Sequence, residues 1–214
     1  SGNSTGFATF NGASTVTATY LYHYTTYPLQ VTIADTATVN ISGGYWYTSG
    51  VSRLTMTGGT LNLLTSTTTF YCYGHTGTGG IYNSGGRINL SGGITTSGST
   101  SVFLCTGSAI TCANGTTAQT WNLGSGAGNS FEFNDLRIEK SAGLTTTITA
   151  ATALTTNIGA ALGVTVNAGN TLSMAGSFST TSLGWKIGAL TNNGTITQSC
   201  LNVFCSGNWT NNGT

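Results

Sequence analysis

VTIADTATVNISGGY, residues 31–45, alternates apolar and polar side chains, breaks at Ala-Asp-Thr-Ala, alternates again and closes on Ser-Gly-Gly. Alternation sends every second side chain to one face of a strand. A small turn between two such runs bends the chain through a corner, where Gly, Asn or Asp tolerates the conformation required. The same reading holds for ATFNGASTVTATY from Ala8, LTMTGGTLNLLTS from Leu54 and IYNSGGRINLSGG from Ile81. It continues with AITCANGTTAQTW from Ala109, LRIEKSAGLTTTITA from Leu136, VTVNAGNTLSMAGS from Val164 and LTNNGTITQSCLN from Leu190. The starts are 23 to 28 residues apart. A unit of that size cannot bury its own inner face, but it can when stacked on copies of itself. The repeat therefore predicts a single domain over residues 1–214. It is all-β, a β-solenoid resembling a parallel β-helix, with about eight stacked units. A β-sandwich completed by a donated strand is the alternative.

Composition supports an all-β chain. Only 4% of the 214 residues are charged, the net charge is +1, and there is one Pro. Soluble domains average roughly 25% charged residues. Ser, Thr, Asn and Gly must therefore supply the solvent-facing groups. The hydrophobic fraction of 38% and aromatic fraction of 10% argue against disorder. A near-neutral chain offers no basic surface for nucleic acid. No apolar run reaches the length of a membrane span. No signal peptide is present, and Ser1 reads as a mature or trimmed start.

Asn-x-Ser/Thr occurs at Asn3, Asn40, Asn89, Asn114, Asn193, Asn208 and Asn212. Chance accounts for some of these in a chain so rich in Asn, Ser and Thr. As a set they are candidate glycosylation sites, with glycans replacing charge as a solubilising coat. The five cysteines are Cys72, Cys105, Cys112, Cys200 and Cys205. No histidine stands at metal-ligand spacing from them. Cys105–Cys112 and Cys200–Cys205 are the simplest oxidised pairs, leaving Cys72 over, and would fit secretion. Buried free thiols are the alternative.

Chemistry for catalysis is sparse. The acidic residues are Asp35, Glu132, Asp135 and Glu139. On an alternating strand Asp135, Arg137 and Glu139 share one face, which reads as a solvated, salt-bridged strand before it reads as a cation site or a catalytic pair. His23 and His75 stand alone. No catalytic residue, metal site or cofactor is expected, and the chain is read as no enzyme. Aromatics recur at matching places: Tyr20, Tyr22, Tyr24 and Tyr27; Tyr45, Trp46 and Tyr47; Phe70, Tyr71 and Tyr73. Stacked, they form ladders that stabilise the solenoid or, where exposed, bind sugar rings. Threonine-rich strands are abundant, but their positions drift with unit length, so regular threonine columns are not expected.

FNDLRIEKSAGLTTTITAATALTTNIGAALGVTVNAGNTLSMAGSFSTT, residues 133–181, resembles β-solenoid repeats of large secreted bacterial surface and adhesin-type proteins. The match is clearest over residues 131–181, 207–214 and 5–15. The resemblance implies a β-solenoid at the cell surface, in an extracellular setting, and brings no catalytic residues with it. In that pattern GNWTNNGT runs on into a strand and then TFNG. Here GNWTNNGT stands at 207–214, and SGNSTGFATFNG opens the chain. Joined, the two complete one repeat. The expectation is a structural subunit, or a segment, of an extracellular filament assembled head to tail from copies of itself. Phe7, Phe10 and Trp209 are its candidate interface residues. A carbohydrate-binding adhesin, with glycans as partners, is the alternative.

Overall fold

The computed structural model of the chain describes residues 6–22, 28–97, 100–124, 129–150, 157–176, 185–199 and 203–214. These residues form a β-solenoid of parallel strands with no helix among them. Each turn has three sides. The first wall begins with Gly6–Phe10 and runs through Leu29–Ile33, Arg53–Met56, Gly80–Asn83 and Val102–Cys105. The second begins with Thr15–Ala18 and runs through Thr38–Ile41, Thr60–Leu63, Arg87–Leu90 and Ile110–Ala113. Two longer strands, Ser130–Ile138 and Asn157–Val166, pass round the corner and join these walls into one sheet of 16 strands. Trp185–Ile187 and Val203–Cys205 end the first wall; Leu190–Asn192 and Trp209–Asn211 end the second.

The third wall is a separate sheet of seven strands: Tyr45–Gly50, Thr69–His75, Ile94–Ser97, Gln119–Asn122, Thr145–Ala150, Thr171–Gly176 and Thr195–Gln198. The described residues thus make about seven complete turns, with a partial turn at either end.

Alternation sets the core. On the second wall Val16, Val39, Leu61, Ile88, Thr111, Leu136, Val164, Leu190 and Trp209 stack in one inward column. On the third wall Trp46, Phe70, Ile94, Trp121, Ile148 and Met174 do the same. Trp46 and Phe70 stack 6.1 Å apart with rings inclined by 7°. Phe70 meets Phe103 edge-on, and Phe103 stacks on Phe131. Burying each such side chain contributes about 1.5–3 kcal/mol.

The columns also locate a slip in the sequence alignment. The repeat starts at Ala8, Val31, Leu54 and Ile81 share a column of the first wall. The structural successor of Ile81 is Phe103. Ala109 instead stands at the head of Ile110–Ala113 on the second wall, where Leu136, Val164 and Leu190 also lie. The two halves of the alignment follow different walls because both walls carry the same strand–turn–strand signature.

Candidate functional site

Three features stand apart from the core: the two ends of the rod, the outer face of the second wall, and the outer face of the third.

At the first end Ala8, Phe10, Ala18 and Leu21 lie against the core but stay partly uncovered. At the last end Ile196, Val203 and Cys205 are placed likewise. Trp209 closes the inward column of the second wall and is 63% exposed, because no described turn stacks beyond it. Phe7, paired with Gln30, faces outward from the first wall and is 78% exposed. Of the three interface candidates, Phe10 and Trp209 therefore belong to the open core ends, while Phe7 stands on the outer face. Among the described residues Gly6–Phe10, Thr15–Ala18, Val203–Cys205 and Trp209–Asn211 each pair with a strand on one side only. The residues of SGNST at 1–5 lie outside the described set.

Among the described residues the second wall carries the ion pairs. Asp135, Arg137 and Glu139 share one face, as their alternation predicts. Arg137 Nη2 lies 2.7 Å from Asp135, Arg137 Nη1 3.7 Å from Glu139, and Arg87 Nη2 2.6 Å from Glu139. Burial pushes the Glu139 carboxyl up. Hydrogen bonds from Arg87 and Cys112 and the charges of Arg87 and Arg137 outweigh it and leave the carboxyl below its ordinary value. These carboxylates are engaged by guanidinium groups. Among the described residues no cluster of three or more His, Cys, Asp or Glu could hold a metal ion. Lys140, beyond the strand, sends its amine to the Asn114 carbonyl at 3.1 Å, and burial lowers its pKa to about 8.

Beside the ion pairs runs an amide ladder. Asn89 donates to Asn62 at 2.7 Å, and Asn62 donates to Asn40 at 2.8 Å. Two candidate glycosylation sites, Asn40 and Asn89, thus have their side-chain amides committed to neighbouring turns. Asn114 accepts a bond from Ser91, and Asn193 accepts one from Asn212. Asn193, Asn208 and Asn212 are exposed. Asn3 lies outside the described residues.

The cysteine pairing is corrected. Cys105 stands in the inward column of Met56 and Asn83. Cys112 stands in the outward column of Asn89 and Arg137, with its thiol 3.4 Å from Glu139. The two point to opposite sides of the sheet, and both are free thiols. Cys72 and Cys205 are also free; Cys200 lies outside the described residues. Burial pushes the Cys72 thiol up, and pushes those of Cys105 and Cys112 up to about 12.

The third wall has a different chemistry. Trp46 and Phe70 point in, and the tyrosines between them point out. Tyr22, Tyr45, Tyr47, Tyr71 and Tyr73 line an open groove of about 300 Å³. Tyr22 and Tyr47 stack at 5.0 Å; Tyr47 and Tyr73 lie 5.4 Å apart. Tyr24, Tyr27 and His23 fall outside the described residues. Further along, Thr120, Thr147, Ser173 and Thr197 align in one column and Thr145, Thr171 and Thr195 in another. Over these later turns the length variation between units is taken up at the corners and short Thr and Ser columns form, whereas the outward columns of the earlier turns hold Tyr, so no Thr column runs the length of the wall.

No described helix is long and apolar enough to cross a membrane. In comparisons with known proteins, the chain matches no family model, no curated protein and no solved structure.

Proposed function

We propose that the chain is a structural unit of an extracellular fibre, as a subunit or as a segment, in which one solenoid stacks on the next along the rod axis. The observation that carries this reading is the open core at both ends, with Trp209 63% exposed at one and Phe10 half-covered at the other. An uncovered inward column loses the burial that every interior turn gains, and a one-sided strand leaves its outer backbone groups unpaired. A following turn of the same kind satisfies both. A second copy or the next repeat of a longer chain supplies that turn equally well, and each gives the same rod. A contact between unlike ends does not close on itself, so repetition yields a filament. The low charge, the exposed sequons and the resemblance of residues 131–181 to bacterial surface repeats favour a cell-surface setting. The arginine-engaged carboxylates favour a mechanical role over a catalytic one.

The test is self-association of the 214-residue chain, followed by sedimentation and electron microscopy as concentration rises. Rods that lengthen in units of one solenoid are expected. Trp209→Glu, or deletion of 207–214, should leave the central turns folded and stop elongation. A chain that stays monomeric throughout contradicts assembly from separate subunits and leaves only the covalent segment, and a Trp209→Glu variant that elongates as the parent does contradicts stacking along the rod axis.

A further inference from the structure

We infer that the outer face of the third wall binds a neutral polysaccharide chain laid along the rod axis. None of its seven strands carries Asp, Glu, Lys or Arg. Among the described residues the ion pairs lie on the second wall. A face without charge offers nothing to a nucleic acid, an acidic glycan or a phosphorylated peptide, all of which need cationic partners.

The face is amphipathic rather than greasy. An outward column runs Tyr47, Tyr71, Thr95, Asn122 and Thr149 on successive turns. It passes from aromatic rings to hydroxyl and amide groups without a break. Around its start, the five tyrosine rings that line the groove lie with neighbouring centroids 5.0–6.5 Å apart. A sugar ring has one apolar C–H face and a rim of hydroxyls. It matches a tyrosine that offers a flat apolar body and a polar tip. Beyond the groove the Thr and Ser columns supply hydroxyls that both donate and accept, as a neutral sugar requires. A lipid surface would need an apolar face without the Thr half, and a protein strand would need an open sheet edge, which this wall lacks along its length.

The inference does not rest on end-to-end stacking, and it is scored on the dispersed Trp209→Glu chain. The probes are dextran, mannan and xyloglucan as neutral polysaccharides, alginate as an acidic one and phosphatidylcholine vesicles as a lipid surface. Affinity electrophoresis should show retardation by at least one neutral polysaccharide and none by alginate. Tyr47→Ala with Tyr71→Ala should weaken retention about tenfold or more. Tyr73→Ser, at a more exposed position, should weaken it while the urea midpoint falls by no more than the loss of its ring contacts with Tyr47 and Tyr71, which separates binding from unfolding. Absence of retardation by all three neutral probes overturns the inference. So does retention by alginate or vesicles of equal strength, or binding unchanged in Tyr73→Ser and in the double variant.

Discussion

His75 shows how one side chain can tie two turns together. It is 3% exposed. Its Nδ1 accepts the backbone N–H of Val102 at 2.9 Å, so the ring hydrogen sits on Nε2, which lies 3.0 Å from the Thr48 hydroxyl. Burial lowers its pKa from 6.5 to about 4. Above pH 6.5 the ring is neutral in both folded and unfolded chains, and the full stability is present. Between pH 6.5 and 4 the unfolded chain takes up a proton that the folded chain refuses, so stability falls as pH falls. Below pH 4 the folded ring is protonated too and the loss levels off, at a total of about 3 kcal/mol. Urea midpoints at pH 7 and pH 4 should show most of that loss disappear in His75→Gln, while losses from the carboxylates remain. Equal pH dependence in the two proteins would mean that His75 is not the titrating group. This role was not legible in the sequence. His75 follows Phe-Tyr-Cys-Tyr-Gly as a lone residue, and both its partners lie 27 positions away. The free thiols stood only as the alternative to Cys105–Cys112 pairing for a related reason. Cys105 and Cys112 are close in sequence, and only the position of the corner between them reveals that they face opposite sides.

At the scale of the element, strand alternation was legible and the corner was not. Val31, Ile33, Val39 and Ile41 are all buried, as the reading of residues 31–45 requires. Asp35 in the turn adopts φ of 56° and reaches back to accept the Gly12 N–H at 3.1 Å. What the sequence concealed was which turn joins which walls, because a Gly-containing turn follows strands of every wall. Corner glycines do two separate jobs. Gly12 has φ of 61° and open space where a methyl would stand, so an alanine there costs only the left-handed conformation. Gly86 has an ordinary φ, but an added methyl would meet the Gly58 carbonyl on the turn beneath and the end of Met56. Gly12→Ala should therefore destabilise by about 1–2 kcal/mol through backbone strain. Gly86→Ala should cost about 1–3 kcal/mol through overpacking. The distinction lies in how the cost responds to a neighbour. Adding Met56→Ala, which removes the flexible end from the contact, should reduce the penalty of Gly86→Ala and leave that of Gly12→Ala unchanged. A double-mutant cycle in urea measures both couplings. If Gly86 couples to Met56 no more than Gly12 does, the end of Met56 takes no part in the cost and the Gly58 carbonyl alone demands the glycine.

At the scale of the molecule, a solenoid is a one-dimensional stack, in which each turn gains stability from the turn on either side. Leu61 has Val39 and Ile88 above and below it in its column and is fully buried. Trp209 has only Leu190. The same difference holds for every strand at an end, so local opening should cost least at Gly6–Phe10 and Trp209–Asn211 and most in the central turns. In a dispersed chain, amide hydrogen exchange should grade accordingly, with the slowest amides in Thr60–Leu63 and Arg87–Leu90. Placing an asparagine at Leu61 strikes that centre. It removes apolar contacts with two turns and buries an amide without partners, for about 2–5 kcal/mol. Exchange should then rise on both sides of residue 61, whereas Trp209→Glu should raise it only in the last turns. Assembly supplies the decisive contrast. If copies stack end to end, each terminal turn gains the neighbour it lacks, and its amides should slow towards the central rate while the centre stays unchanged. Terminal amides that exchange equally fast in dispersed and assembled material would show that the copies meet somewhere other than along the axis of the rod.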